Sequence, residues 1–425
     1  MKKIIEGYKK TLAGEIPEEW GYEELNKLVD KITDGTHKTP TYTESGIPFL
    51  RVTDIQKSEI DWNNVKYISQ EEHLELIKRC NPEIGDILYS KNGTIGIPKI
   101  IDWDNEFSIF VSLCLIKMKK QESYISNKYL EQFLKSDSCM RQIRLRAKQG
   151  TVTNLHLEEI RELIIPIPTI KEQEKIASIL STVDEQIDNV DILIEKNKEL
   201  KKGLMQTLLT KGIGHTKFKK TEIGEIPEEW GVEKLGNIVE VISGATPKTN
   251  INEYWDNGDI YWATPTDITS NGKYISITEK TITESGLKNC SAKLLPIGSI
   301  LMSSRATIGE RCINTVPMAT NQGFKSLVCK ARVNNEFIYY YIDILKEKLI
   351  GLASGSTFLE VSKKVVEDVK VAVPSLEEQE KIVSILSEID DKIHEYENKK
   401  QKLEELKKGL MQQLLTGKMR VDLSV

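Results

Sequence analysis

At 425 residues the chain is long enough for two or three domains with real cores, and 39% hydrophobic against 29% charged residues excludes a disordered, collagen-like or low-complexity protein. The 59 Lys and Arg against 64 Asp and Glu leave a net charge of −5, so the surface as a whole does not suit nucleic acid and any DNA contact is local. Six scattered cysteines (Cys80, Cys114, Cys139, Cys290, Cys312, Cys329) without a CxxC spacing exclude a zinc ribbon or a disulfide scaffold and suit reduced thiols in the cytoplasm.

In chain order, residues 1–21 form an N-terminal arm without the apolar core of a signal peptide, ending on Gly14-Glu-Ile-Pro-Glu-Glu-Trp-Gly21. Residues 22–168 carry short strand patterns at Ile47–Val52, Asp86–Ser90 and Phe107–Ile116 and a helix through Asn127–Ala147, an α+β domain. Past Pro168, apolar residues at three-to-four spacing (Ile176, Leu180, Val183, Ile187, Val190, Ile194, then Leu200, Leu204, Leu208) predict a long helix over 169–211. A linker at 212–231 leads to a second α+β domain at 232–374, with strands Gly258–Ala263, Gly298–Ser303 and Lys325–Cys329 and a helix through Asn335–Ala353. A second stripe (Ile382, Leu386, Ile389, Ile393, Tyr396, Leu403, Leu410, Leu414) predicts a long helix over 375–418, before a tail at 419–425. Helices of this length run roughly 60 Å. No run of roughly 18 apolar residues is present, so nothing is expected to span a membrane.

The chain is a duplication. The segment at 14–21 returns letter for letter at 224–231; 84–96 is answered by 297–309, 171–180 by 377–386, and 200–210 by 406–416 with one residue changed. One unit therefore occurs twice, roughly 8–211 and 218–418, with matching helical ends and middles that agree only at framework patches. The ends do one job twice, and the middles do different versions of one job.

Catalytic patterns are missing. There is no GxGxxG, hence no dinucleotide or ordinary S-adenosylmethionine loop, and no P-loop; Asn81-Pro-Glu-Ile lacks the second Pro and the aromatic ring of an aminomethyltransferase motif. His37, His73, His156, His215 and His394 stand apart from one another, with no metal-ligand spacing. The chain reads as a non-enzyme.

Gly-x-Ile-Pro-x-x-Trp opening each half, Gly-Asp-Ile-Leu-x-Ser followed by Thr-Ile-Gly, Pro-x-x-x-Glu-Gln-x-Lys-Ile, and Leu-Lys-x-Gly-Leu-Met-Gln-x-Leu-Leu-Thr-Gly-Lys together resemble the specificity subunit of type I restriction–modification enzymes, over nearly the whole chain. The resemblance implies two target-recognition domains, each reading one half of a split, asymmetric duplex DNA sequence. It implies two helices packed antiparallel as a spacer in a pseudo-twofold arrangement, and a cytoplasmic complex with two methyltransferase subunits and restriction/translocase subunits. No cofactor is expected in this chain; S-adenosylmethionine, ATP and Mg belong to the partner subunits. Two half-sites about a helical turn apart also favour antiparallel helices on geometry, because parallel ones would put both readers at one end. The other reading is a duplicated coiled-coil tether whose α+β domains bind protein; the acidic balance favours it mildly.

For DNA contact, the polar loops Thr33-Asp-Gly-Thr-His-Lys-Thr-Pro-Thr and Ser243-Gly-Ala-Thr-Pro-Lys-Thr-Asn offer Thr36, His37, Lys38, Thr246 and Lys248 to phosphates and base edges. Between matched framework residues, Lys91 and Asn92 stand where the second copy has Ser304 and Arg305, side chains suited to different bases in the major groove. Arg141, Arg144, Arg146 and Lys148, leading into Gln149 and Thr151, resemble a phosphate clamp, with a sparser counterpart before Ser356. Arg51, Thr264, Thr266, Gln322 and Lys325 complete the candidates. Solvated surface is the plain alternative for each. Trp20 and Trp230 are expected to anchor cores rather than stack on bases. Gly203 and Gly409, each in a helix interior at a cost of about 1 kcal/mol, suit close helix approach or a partner surface.

Overall fold

The computed structural model describes residues 6–57, 59–121, 123–146, 154–270, 272–354 and 359–423. The chain divides into two compact units, one of residues 1–193 with 396–425 and one of residues 194–395. Each long helix is shared: Ile170–Lys211 begins in the first unit and ends in the second, and Leu376–Leu414 does the reverse.

In the first unit the arm is a hairpin of Tyr8–Thr11 against Gly14–Pro17. Gly21–Glu24 then pairs antiparallel with Ile164–Ile167, bringing both ends of the recognition domain to the start of the long helix. The domain carries a four-stranded antiparallel sheet in the order Lys31–Asp34, Leu113–Lys117, Ile87–Ser90, Pro98–Ile100. A smaller sheet joins Lys66–Ile68, Ile47–Leu50 and Ser108–Ile109. The apolar run 107–116 is thus two strands in two sheets, split by a turn in which the Leu113 amide donates to the Phe110 carbonyl at 2.9 Å. The helix expected through Asn127–Ala147 is likewise two, Asn127–Leu134 and Asp137–Arg146. Ser136 makes the break: its hydroxyl accepts the Cys139 amide at 3.1 Å and caps a new helix.

The second unit repeats the plan, with a hairpin of Phe218–Thr221 and Gly224–Pro227 and the closing pair Gly231–Lys234 with Lys370–Val373. A five-stranded sheet runs in the order Val239–Ser243, Lys325–Cys329, Ile300–Met302, Arg311–Asn314, Tyr274–Ile275, beside a three-stranded one. The helix Asn335–Gly351 is unbroken, capped by Asn334, whose side chain accepts the Glu336 and Phe337 amides.

The helix starts explain the repeated Glu-Gln. Thr169 and Glu172 form a reciprocal capping box. Gln173 is fully buried; its amide nitrogen donates to the carbonyls of Tyr124 (3.0 Å) and Pro168 (2.9 Å), and its oxygen accepts the Ser126 amide (2.8 Å). Gln379 does the same in the second unit, accepting the Asn334 amide at 2.9 Å and donating to the Pro374 carbonyl at 3.0 Å.

Within each unit the helical segments pack antiparallel. In the first, Asp184 pairs with Lys407, and seven residues on, Asp191 pairs with Lys400 at 2.7 Å, seven residues back on the other helix. In the second, Lys201 meets Asp390 at 2.5 Å and the Ile213 amide donates to Glu378 at 3.0 Å, again forward on one segment and back on the other. Ile176, Leu180, Val183 and Val190 are buried in the first unit, and Ile194, Ile382, Leu386 and Ile389 in the second. Ile187, Ile393, Tyr396 and Leu403 are half-buried. Leu200 departs from its expected place in the stripe: it is 52% exposed, as is its repeat Leu406 at 51%. A Cβ on Gly203 or Gly409 would meet nothing within 4 Å, so among the described residues these glycines serve no close helix approach. Trp20 and Trp230 are buried in their units' cores. Among the described residues, no helix is long and apolar enough to cross a membrane, and no cluster of three His, Cys, Asp or Glu is placed to hold a metal ion.

Candidate nucleic-acid interface

The polar loop after Lys31–Asp34 is held from below. Gly35 lies where an added Cβ would strike the Ile109 carbonyl, and the Thr36 amide donates to that carbonyl at 3.1 Å. The Thr36 hydroxyl turns onto the Lys38 carbonyl (3.1 Å), while the side chains of His37 and Lys38 are exposed. Beneath them the buried Asp34 carboxylate gathers His37 Nε2 (3.0 Å), Lys91 Nζ (3.3 Å) and the Arg79 guanidinium.

Lys91 is thus committed within the unit: its side chain is 7% exposed and paired with Asp34. Asn92, the next residue, is half-buried at the tip and bridged through its backbone to Asn154, with its Oδ1 finding no donor among the described residues. Gly93 follows at φ +77°, a left-handed turn open to glycine. Arg51 folds back on Asp54, with both contacts at 3.1 Å.

On the helix Asp137–Arg146, Arg141 and Arg144 are exposed, whereas Arg146 is committed to the Glu162 carbonyl at 2.8 Å and the Gln142 carbonyl at 3.4 Å. Lys148, Gln149, Thr151 and Ser356 lie outside the described residues. A cleft of about 940 Å³ in this unit, lined by Lys135, Lys407 and Lys408 among others, includes none of the candidate DNA-contacting residues except Arg141 at its edge.

In the second unit, Thr246 donates its hydroxyl to Gln322, and Lys248 and Gln322 are exposed or half-exposed. Thr264 is taken up by Asp267, which accepts both its amide (2.8 Å) and its hydroxyl (2.6 Å); Thr266 is exposed. Ser304 and Lys325 have internal partners, as Lys91 does. Ser304 is fully buried with its hydroxyl on the Gly323 carbonyl (3.0 Å), and Lys325, 8% exposed, reaches Ser304 Oγ (3.4 Å) and Glu360 (3.2 Å). Arg305 stays 43% exposed at the tip, paired with Glu360, and Ala306 holds the left-handed conformation (φ +55°) that Gly93 holds in the first unit. Burial alone would raise the Glu360 carboxyl; hydrogen bonds from Arg305 and Lys325 outweigh it and hold it below its ordinary value.

Each unit therefore brings together one polar loop, one tip loop and an ion pair whose lysine is buried. Of the candidate residues, the basic side chains left facing solvent are His37, Lys38, Arg141 and Arg144 in the first unit, and Lys248 with half of Arg305 in the second. Asp34, Arg79, Asn154 and Glu360 escaped the sequence reading. Asn154 and Glu360 occupy the same place in the repeat, just before a buried apolar residue whose amide bonds the tip loop, and that alignment was the only signal for them.

Comparison with known proteins agrees with the duplication. The profile of the type I restriction modification DNA specificity domain matches residues 17–202 and again 227–407. The putative type I restriction enzyme MjaX specificity subunit of Methanocaldococcus jannaschii is 33% identical over 98% of this chain and 97% of its own length. The EcoR124I/EcoR124II specificity subunit of Escherichia coli is 28% identical over 53% of this chain and 55% of its own. Among solved structures, the type I restriction-modification system S subunit of M. genitalium shares the fold at a TM-score of 0.56 with 19% identity, covering 97% of each chain. A chain solved in a study of complex assembly and conformational transition of the type I R-M system does so at 0.58 and 19%, over 95% of this chain and 99% of that one. Two tandem matches to one domain over most of the chain, with 33% identity to a relative along nearly the full length of both, settle the kinship: the chain belongs to the type I restriction modification DNA specificity family.

Proposed function

We propose that this chain is the sequence-reading subunit of a type I restriction–modification complex, and that each α+β domain reads one half of a bipartite, asymmetric duplex target. The observation that carries this is the contrast between framework and tip. The same scaffold position presents Asn92-Gly93 in one unit and Arg305-Ala306 in the other, so one architecture offers an amide in one place and a guanidinium in the other. The net negative charge fits a reader that touches DNA only at such loops. The names of the relatives, specificity subunits of type I restriction enzymes, support a place in such a complex.

The reading assigns catalysis to partner subunits, with S-adenosylmethionine, ATP and Mg bound there, and places the complex with DNA in the cytoplasm. The helices set the separation of the readers and dock methyltransferase subunits, one per copy of the repeat. The exposed pairs Leu200 with Gly203 and Leu406 with Gly409 support this, since both copies of one motif leave the same open face. Exchange of residues 22–168 for the matching domain of a relative, with sequencing of modified DNA from cells carrying the system, tests the proposal. One half-site should change and the other stay. A swap that alters both together overturns it.

A further inference from the structure

The two tip loops differ from each other in a matched way. In both units the tip is bridged to a following strand-like residue: Asn92 to Asn154, and Arg305 to Glu360. The next residue bonds the tip in both, the Leu155 amide to the Lys91 carbonyl at 2.8 Å and the Val361 amide to the Ser304 carbonyl at 3.0 Å. The backbone frame is thus common, and both members of the bridged pair have changed together, from amide and amide to cation and carboxylate.

The Arg305–Glu360 geometry is one-sided. Arg305 Nε and Nη2 lie 2.8 and 2.7 Å from the same oxygen, Glu360 Oε2, while Oε1 takes Lys325 at 3.2 Å. A guanidinium has five N–H donors in a planar fork. Holding it by its side edge leaves the Nη1 end, where a guanine O6 and N7 would be read.

We infer that Glu360 is a positioning residue for base recognition, fixing Arg305 end-on for a guanine in the second half-site. This rests on the DNA-reading function proposed above. Without the carboxylate, Arg305 is free to sweep between bases and phosphates, so affinity survives better than discrimination does.

The test uses the full chain assembled with the other subunits of its system and duplex panels permuted at each position of the target. Arg305→Ala and Glu360→Gln should each relax discrimination at the same single base pair, by about 5- to 150-fold. The double variant should be no worse than Arg305→Ala alone. Because Glu360→Gln leaves Lys325 less well paired, thermal unfolding checks that it folds. A transplant into the first unit provides the second arm: Asn92→Arg with Asn154→Glu should move one base pair of the other half-site toward guanine, and Asn92→Arg alone should do so less sharply. The positioning role is overturned if folded Glu360→Gln keeps full discrimination, if its effect multiplies with that of Arg305→Ala, or if Asn92→Arg alone reads guanine as sharply as the pair. Wild-type complex that binds all duplexes alike would instead overturn the reading function itself.

Discussion

Asp34 and Lys91 put opposite charges where their side chains are 4% and 7% exposed, and a buried pair broken on one side strands the other charge. Asp34→Asn should therefore lower the first unit's stability by roughly 3–5 kcal/mol, read as a fall in the denaturant midpoint, even with Arg79 and His37 still close by. Exposed Arg144 is a different kind of cation, with no ion pair among the described residues. Arg144→Ala should weaken binding to every sequence alike and lower the salt slope by about 0.9 for each phosphate it had neutralised, with no change of base preference. Ala306 holds a left-handed backbone that its repeat partner fills with glycine, so Ala306→Gly should raise the thermal midpoint, by the equivalent of about 1 kcal/mol. At this scale the sequence showed where charge and hydroxyl groups collect, but not which of them are used up internally. Lys91 and Lys325 look like free cations in the sequence because their carboxylates come from other strands and loops.

The long helices were legible because an apolar stripe with a period near 3.6 has no other interpretation over forty residues. The break at Ser136 was not, because Lys135-Ser-Asp reads as ordinary helix until the Ser136 hydroxyl is seen taking the Cys139 amide. Nor was the purpose of Gln173, which joins three backbone groups near the helix start. Gln173→Leu leaves those groups unpaired in a buried place and should destabilise the first unit by about 2 kcal/mol or more in urea unfolding. In the second unit, Lys273 ties the recognition domain to the long helix, bonding Tyr340 Oη (3.1 Å) and Ser387 Oγ (3.0 Å) and pairing with Glu336. Burial would raise the Glu336 carboxyl, but hydrogen bonds from Lys273 and Tyr274 prevail and hold it below its ordinary value. A carboxylate depressed on folding adds stability above the ordinary carboxylate range and loses it as pH falls through the folded-state value. Glu336→Gln should flatten that acid limb in melts between about pH 3 and 7.

At the scale of the molecule, the proposed role of the helices as a ruler carries a condition that the stripes did not reveal. Each unit pairs the first part of one long helix with the last part of the other, so an insertion in one helix alone puts a seam out of register. Paired four-residue insertions, after Glu195 and after Glu395, keep each unit's own seam and lengthen both helices by about 6 Å. The unread spacer should then grow by about one or two base pairs with both half-sites unchanged, as sequencing of modified DNA would report. Paired two-residue insertions turn the chain by roughly 200° and should abolish assembly. The division of the chain also bears on the order in which the protein matures. The second unit is one continuous stretch, 194–395, whereas the first cannot close its core until Leu414 and Leu415 arrive, Gly417 meets Pro17 and Trp20, and Arg420 reaches Glu172. On the ribosome, where residues emerge in order, the half made first is thus the half completed last. Chains that end at residue 395 and are released from the ribosome should show a protease-resistant second unit and a first unit that is still cut.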